Sequence, residues 1–126
     1  MKDELVVVTG AGGFIGGAMA AEFRRQGNRR IRAVDIKPFD EWYQLFDDVE
    51  NLQLDLNLKE NCERAARGAF EIYNFAANMG GMGFIENNKA RCMLSVLINT
   101  HMLQAAHEYG VERFFYSSSA CVYYAD

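Results

Sequence analysis

Apolar and polar residues alternate with two different periodicities along the chain, one typical of strands and one typical of helices, and the periodicity changes several times. Leu5-Val6-Val7-Val8 is an uninterrupted apolar run, which is typical of a strand buried on both faces of a parallel sheet. From Phe14 to Gln26 the apolar residues have helical spacing, and Gly27 is a residue type that commonly ends a helix. The pattern therefore predicts a buried strand followed directly by a helix.

The alternation of strand and helix patterns continues through the rest of the chain. The predicted strands are Leu5–Val8, Ile31–Ile36, Asn51–Leu56, Phe70–Ala76 and Arg113–Ser117. The predicted helices are Phe14–Gln26, Lys59–Arg67 and Ile85–Tyr109. Residues 38–50 have neither strand nor helix periodicity and are rich in aromatic and acidic side chains, so we expect a surface excursion there. A glycine-rich loop is expected at residues 78–83.

Strands that alternate with helices predict an α/β domain with a parallel sheet. Connections between parallel strands are right-handed, and so few topologies remain. The leading one is the doubly wound, Rossmann-type sheet that binds nucleotides, with about five strands. No linker, repeat or second-domain boundary is visible, so we expect residues 1–126 to form one such domain.

Composition removes several classes of protein from consideration. Half of the residues are hydrophobic and there is one Pro, so the chain can bury a core and is not of the disordered type. The 13 basic and 17 acidic residues give a net charge of −4, which argues against a general nucleic-acid or anionic-membrane surface. No apolar stretch reaches the roughly 20 residues of a membrane span, and the first residues show no signal-peptide pattern. The 3 cysteines lack the spacing of a metal site and fit free thiols in a reducing cytoplasm.

A glycine-rich turn joins the first predicted strand to the first predicted helix. Its sequence is Thr9-Gly10-Ala11-Gly12-Gly13-Phe14-Ile15-Gly16. Gly10 permits the tight turn, Gly13 lets backbone amides approach a pyrophosphate, and Gly16 lets the helix lie close to the sheet. The free N–H groups and the dipole at the start of the helix favour the negative charge of that ligand. Because a strand precedes the turn and a helix follows it, the pattern predicts a dinucleotide site.

Two acidic residues end the strands beside this turn. Asp35 follows Gly16 by 19 residues, where a carboxylate accepts hydrogen bonds from an adenosine ribose and repels a 2′-phosphate. NAD is therefore favoured over NADP, and a solvated acid at the end of a strand is the alternative. The nearby basic residues, which weaken this preference a little, are Arg29, Arg30 and Arg32. For Asp55, contact with the adenine edge and a cap on the next helix are equally good interpretations.

Segments along nearly the whole chain carry a resemblance to a known family. Three segments resemble the extended short-chain dehydrogenase/reductase family. They are the glycine spacing in Thr9–Gly16, the run Asn74-Phe75-Ala76-Ala77 and the run Ser117-Ser118-Ser119-Ala120-Cys121-Val122-Tyr123. That family includes nucleotide-sugar epimerases and dehydratases. Residues 77–85 and 114–123 resemble, more narrowly, the GDP-mannose 3,5-epimerases within it.

The resemblance implies a reaction and assigns residues to it. NAD⁺ oxidises the sugar at C4, the acidified C–H bonds at C3 and C5 exchange protons, and the ketone is then reduced again. Cys121 matches the acid/base cysteine, and Ser119 matches the hydroxyl that hydrogen-bonds the C4 oxygen. The positions matched to the sugar site are Gly80, Gly81, Ser119, Ala120 and Cys121. The positions matched to the NAD site are Gly10, Gly13, Phe14, Ile15, Gly16, Asp35, Asp55, Ala76 and Ala77.

The resemblance also implies partners. The substrate is a nucleotide sugar of the GDP-mannose kind, and the complete protein is a homodimer in which the long helix packs across the interface. By residue type alone Cys121 is a small hydrophobic residue, and only the resemblance gives it chemistry. Cys62 and Cys92 are interpreted as structural helix residues.

The family's catalytic Tyr-x-x-x-Lys pair is missing from these residues, because no Tyr has a Lys four positions later. The second acid/base Lys and the substrate domain are missing as well, and Tyr124 stands where the family often has Pro. We therefore expect an N-terminal portion of such an enzyme, truncated and inactive by itself. The alternatives are another nucleotide-sugar 4-epimerase or dehydratase, and a non-catalytic half-domain that binds NAD.

Overall fold

The computed structural model describes residues 4–27, 30–75, 98 and 100–116. Within these ranges the strands are β1 Leu5–Thr9, β2 Arg30–Asp35, β3 Glu50–Gln53, β4 Glu71–Asn74 and β5 Arg113–Tyr116. The helices are α1 Phe14–Gln26, a 3₁₀ helix at Phe39–Glu41, α2 Lys59–Ala66 and α3, whose helical residues are 98 and 100–108. The other residues predicted to extend the long helix at its start lie outside the described residues.

All the described strands are parallel and form a single sheet in the order β3-β2-β1-β4-β5. The direction of winding reverses at β1, because β2 lies on one side of it and β4 on the other. A crevice therefore opens at the carboxyl ends of β1 and β4, which is where doubly wound sheets bind their ligands. The prediction of a Rossmann-type, doubly wound sheet is confirmed.

Two apolar layers cover the faces of this sheet. On one face Val7 packs with Met102 and other residues of α2 and α3, and on the other face Val6 packs with Phe23 of α1. Successive side chains of a strand point to opposite faces, and every residue of β1 is buried. This explains why its first four residues are all apolar rather than alternating with polar ones.

The third strand is displaced from its predicted position. It begins at Glu50 and ends at Gln53, whereas the pattern predicted Asn51–Leu56. Its partner β2 ends at Asp35, which pairs with Gln53, so the ladder has no strand to continue on. Leu54 and Leu56 are buried in the core instead. Their apolar side chains, which suggested a longer strand, are explained by packing against α2.

Most of the segment between β2 and β3 is the surface excursion predicted for residues 38–50, but one of its rings departs from that prediction. After the 3₁₀ helix, Trp42 turns into the core and only 8% of its surface stays exposed. There it packs with Val6, Val8 and Phe23. An aperiodic run of aromatic and acidic residues does not indicate which ring will be buried, and the pattern therefore missed this one.

Arg32 of β2 connects the sheet to the end of α2. Its Nη1 donates hydrogen bonds to the carbonyl oxygens of Ala65 and Arg67, each at 2.8 Å. Its Nε donates to Oε1 of Glu50 at 2.9 Å. The last carbonyl groups of a helix have no partner within it and carry partial negative charge, so a guanidinium there is stabilising.

Other classes of site find no support among the described residues. No helix in these ranges has the length and apolar character to cross a membrane. The same ranges contain no group of three or more side chains that could hold a metal ion. Cys62, on α2, is fully buried, and its Sγ donates to the carbonyl oxygen of Leu56 at 3.1 Å. That is the structural role interpreted for Cys62 from the sequence.

Candidate functional site

The chain leaves β1 through a tight turn that ends at the start of α1. Gly10 has φ of +69°, a left-handed conformation that residues with a Cβ rarely adopt. The N–H of Gly13 donates to the carbonyl oxygen of Gly10 at 3.1 Å, and the N–H of Gly17 donates to that of Gly13 at 2.9 Å. The turn thus closes on its own backbone and passes directly into the helix, as the glycine pattern predicted.

Gly16 and Gly13 have different reasons to be glycine. A Cβ on Gly16 would overlap the carbonyl oxygen of Gly10 and lie 2.7 Å from its carbonyl carbon, so α1 packs against the turn only without a side chain there. A Cβ on Gly13 would lie 3.4 Å from the oxygen of Gly10, and it would have no other neighbour within 4 Å among the described residues. With φ of −88°, Gly13 has an ordinary backbone conformation. The fold of the described residues does not require glycine at 13, and its effect is to keep open the space in front of α1.

The first turn of α1 presents backbone N–H groups to that space. Gly13 is the N-cap, no side chain caps the helix, and no acidic residue lies in its first turn. The first N–H groups of a helix have no acceptor within it, and the dipole adds partial positive charge. Phe14 and Ile15, which begin the helix, are 70% and 61% exposed. This arrangement suits a phosphate or diphosphate group.

Asp35 lies beside the turn and is not a solvated acid. Only 8% of its surface is exposed. Its Oδ2 accepts a hydrogen bond from the N–H of Gly12 at 2.8 Å, and its Oδ1 accepts one from the N–H of Lys37 at 3.0 Å. The carboxylate is therefore fixed at the edge of the turn, with further lone pairs on both oxygens. Its predicted contact with a ribose stays a prediction.

Asp55 does not cap α2, so that interpretation is wrong. The N-cap is Leu58, which has no side-chain hydrogen bond to the helix. Oδ1 of Asp55 instead accepts from the backbone N–H and the side-chain amide of Asn57, both at 2.9 Å. The carbonyl oxygen of Asp55 accepts from Nδ2 of Asn61 at 3.0 Å. Asp55 orders the turn between β3 and α2, and its contact with an adenine edge stays a prediction.

The arginines near Asp35 are placed away from its carboxylate wherever the structure describes them. Arg32 is engaged by Glu50 and by the end of α2. Arg30 begins β2, and five residue steps along the strand, about 16 Å, separate it from Asp35. Arg29 lies outside the described residues. Arg30 and Arg32 therefore weaken the preference for NAD less than their sequence positions suggested.

Thr9 and Asn74 form a polar contact that the sequence pattern did not single out. They end β1 and β4, pair in register and are buried. The hydroxyl of Thr9 donates a hydrogen bond to Oδ1 of Asn74. The available signal was two polar residues, Thr9 directly after the predicted first strand and Asn74 inside the predicted fourth.

The remaining predicted site residues lie outside the described part of the chain. They are Ala76, Ala77, Gly80, Gly81, Ser119, Ala120 and Cys121. Their assigned contacts with cofactor and sugar stay predictions. What the structure brings together is the turn at residues 10–13, the start of α1, and Asp35.

Comparisons with known proteins agree with this arrangement. The model of the NAD dependent epimerase/dehydratase family matches residues 6–126. GDP-mannose 3,5-epimerase 1 of Oryza sativa subsp. japonica is 40% identical over 119 residues, which are 94% of this chain and 31% of that enzyme. ADP-L-glycero-D-manno-heptose-6-epimerase of Pseudomonas aeruginosa (strain UCBPP-PA14) is 31% identical over 120 residues, 94% of this chain and 36% of that enzyme.

A solved structure of an epimerase is also similar to this chain. The UDP-glucose 4-epimerase of Thermus thermophilus, solved as a complex with NAD, has a TM-score of 0.71 and 25% identity, covering 87% of this chain and 36% of that one. The chain thus spans about a third of the length of the curated relatives named above, 31% and 36%. The predicted resemblance is confirmed, and NAD, the predicted cofactor, is the cofactor of the family. The chain belongs to the NAD-dependent epimerase/dehydratase family.

Proposed function

We propose that this chain is the NAD-binding portion of a nucleotide-sugar epimerase whose reaction is of the GDP-mannose 3,5-epimerase type. The observation that carries the proposal is the 40% identity to the rice enzyme over 94% of the chain. The local geometry supports the cofactor half of it. The tight turn at Gly10, the open space at Gly13 and the start of α1 form an anion site at the point where the sheet reverses its winding.

The described residues fit the parts of NAD. The diphosphate is bound by the N–H groups at the start of α1, at Phe14, Ile15 and Gly16. Asp35 accepts hydrogen bonds from the adenosine ribose with the lone pairs that Gly12 and Lys37 leave over. The negative charge of Asp35 and the engagement of Arg32 elsewhere both disfavour the 2′-phosphate of NADP.

The chemical roles in the proposal rest on the resemblance. NAD supplies the oxidising power for C4 of the sugar and returns the electrons when the ketone is reduced. Cys121 exchanges a proton at a carbon next to that ketone, for which a thiol with an ordinary pKa of about 8.5 is a reasonable carrier. Ser119 hydrogen-bonds the C4 oxygen, while Gly80, Gly81 and Ala120 lie against the sugar.

Proton exchange in the full-length protein tests the reaction. Incubated with GDP-mannose in deuterated water, the protein should incorporate deuterium at C3 and C5, measured by NMR. Cys121→Ala should abolish the incorporation. Cys62→Ala is the matched control, because Cys62 is buried on α2 and should leave the exchange intact. Undiminished incorporation by Cys121→Ala would remove Cys121 from the mechanism, and none with the unaltered protein would contradict this type of epimerase.

Affinity for the cofactor tests the site separately from the reaction. Gly13→Val fills the space in front of α1 and should lower the affinity for NADH at least about tenfold. Gln26→Val, at the exposed far end of the same helix, should leave the affinity unchanged. Equal binding by Gly13→Val and the unaltered protein would show that the turn is not the site.

Another nucleotide-sugar epimerase or dehydratase is the second candidate, favoured by the 31% identity to the heptose epimerase. Assay of the full-length protein with ADP-heptose and UDP-glucose beside GDP-mannose separates the two candidates. A non-catalytic NAD-binding module is the third outcome. Sequencing the gene beyond the codon for Asp126 tests it, since an enzyme of this family needs Tyr-x-x-x-Lys within roughly 50 further residues.

The proposal includes a homodimer for the complete protein, which also rests on the resemblance. Sedimentation equilibrium of the full-length protein at twice the monomer mass would support it. A monomer at micromolar concentration would contradict it.

A further inference from the structure

The end of β2 and the segment that follows it hold the backbone of Gly12 from three sides. The N–H of Gly12 donates to Oδ2 of Asp35 at 2.8 Å, and its carbonyl oxygen accepts from the N–H of Tyr43 at 3.0 Å. Its Cα faces Trp42, because a Cβ added there would lie 2.8 Å and 2.9 Å from the ring atoms Cδ1 and Cγ. The middle of the glycine turn is thus fixed by residues that are distant along the chain.

Trp42 is itself anchored. Its indole Nε1–H donates to the carbonyl oxygen of Lys37 at 2.9 Å. Its ring meets that of Phe39 edge to face, with 5.2 Å between the centroids. Its backbone N–H donates to the carbonyl oxygen of Phe39 at 3.2 Å, at the end of the 3₁₀ helix. A side chain buried and bonded in this way presents a fixed surface to Gly12.

These contacts decide which N–H groups face a ligand. The N–H of Gly12 is engaged by Asp35, and that of Gly13 by the carbonyl oxygen of Gly10. Among the described residues, the N–H groups at this helix start that have no acceptor therefore begin with Phe14. Their position relative to the carboxylate of Asp35 depends on the path of the turn between them. Because such a turn is already ordered before the cofactor binds, the free energy of binding is not reduced by the cost of ordering it.

We propose that Trp42 is a positioning residue for the cofactor. By packing on Gly12 it holds the turn in the shape that binds the diphosphate of NAD, without touching the cofactor itself. The inference rests on the proposed binding of NAD at this turn. It adds a residue that neither the glycine pattern nor the acid at the end of β2 indicates.

The test measures two quantities on the full-length protein: the Kd of NADH from its own fluorescence, and amide exchange of Gly12 and Tyr43 by NMR without cofactor. In Trp42→Ala both amides should exchange faster, and the Kd should rise about tenfold. In Trp42→Phe, which keeps a ring over Gly12, the Kd should stay within roughly twofold. Met102→Ala is the matched control, because Met102 is buried in the core on the other face of the sheet. It should lower stability and leave the Kd unchanged.

Each outcome separates this inference from the proposed function. Absence of NADH binding by the unaltered protein contradicts the proposed function. Normal binding with an unchanged Kd in Trp42→Ala overturns the positioning role and leaves the proposed function intact. A raised Kd without faster amide exchange also overturns it, because Trp42 then acts on the cofactor directly.

A second variant covers the case in which Trp42→Ala does not fold. Gly12→Ala keeps the indole in place but sets a methyl group against its ring and against Oδ2 of Asp35. The turn must shift, and the Kd of NADH should rise about tenfold. An unchanged Kd in Gly12→Ala would overturn the positioning role.

Discussion

The hydroxyl of Thr9 donates a hydrogen bond to Oδ1 of Asn74, and this bond joins the ends of the two strands at which the crevice opens. The backbone N–H of Phe75 adds a bond to the carbonyl oxygen of Thr9 at 3.2 Å. Both side chains are buried. These two hydrogen bonds therefore hold together the ends of β1 and β4, the points at which the chain leaves the sheet. We call this pair of bonds the polar anchor.

This anchor should contribute to stability. Thr9→Val keeps the shape of the side chain and removes the donor, so Oδ1 of Asn74 loses this partner while it stays buried. We expect the free energy of unfolding to fall by about 1–3 kcal/mol, measured by urea denaturation. Thr9→Ser keeps the hydroxyl and loses only a methyl group, at a cost of about 1 kcal/mol. If Thr9→Val is as stable as the unaltered protein, the bond contributes nothing.

Alanine at Gly16 and at Gly13 should have different effects. Gly16→Ala forces α1 away from the turn, and we expect it to cost about 2–3 kcal/mol even though Ala favours a helix by about 1 kcal/mol over Gly. Gly13→Ala meets little within the described structure and should cost less than about 1 kcal/mol. Urea denaturation of the two variants measures the difference. The reverse order would contradict the close approach of α1 to Gly10.

Replacement of Asp35 should change cofactor preference as well as affinity. Asp35→Asn removes the charge that repels a 2′-phosphate, and its amide nitrogen cannot accept from Gly12 or Lys37. We expect weaker binding of NADH and a rise of about tenfold in the ratio of NADPH to NADH affinity, from fluorescence titrations. Asp48→Asn is the control, because Asp48 lies on the surface and contacts Arg24. An unchanged ratio would mean that Asp35 stabilises the turn and does not select between the two cofactors.

The thiol of Cys62 should make stability depend on alkaline pH. Burial, with a smaller effect from the carboxylates of Asp55 and Glu63, raises the pKa of this thiol from 9.0 to about 12. Above pH 9 the unfolded thiol ionises while the folded one stays neutral, so stability falls as pH rises towards 12. Between about pH 8 and about pH 10 the loss in urea midpoint should be smaller for Cys62→Ala than for the unaltered protein. Equal losses would show that the buried thiol does not contribute.

Much of the framework could be predicted because its causes are local. The bounds of α1 were predicted to the residue, since a helical apolar pattern led to a glycine that takes φ of +72° at its end. The burial of β1 on both faces followed from its unbroken apolar run. The order of the sheet followed from the alternation of strands and helices and the handedness of their connections. The tight turn at Gly10 followed from the glycine spacing.

Only the tertiary structure decided which side chains meet around that turn. The burial of Trp42 against Gly12, the bond between Asp35 and Gly12 and the bond between Thr9 and Asn74 all join residues far apart in the chain. Asp55 and Arg32 also found partners that their positions in the sequence did not indicate. The sequence by itself determined the bounds of α1, the glycine turn and most of the strand positions, because periodicity and glycine conformation act over a few residues. The contacts that hold the turn were decided by the folded chain, because packing depends on which distant segments the sheet brings together.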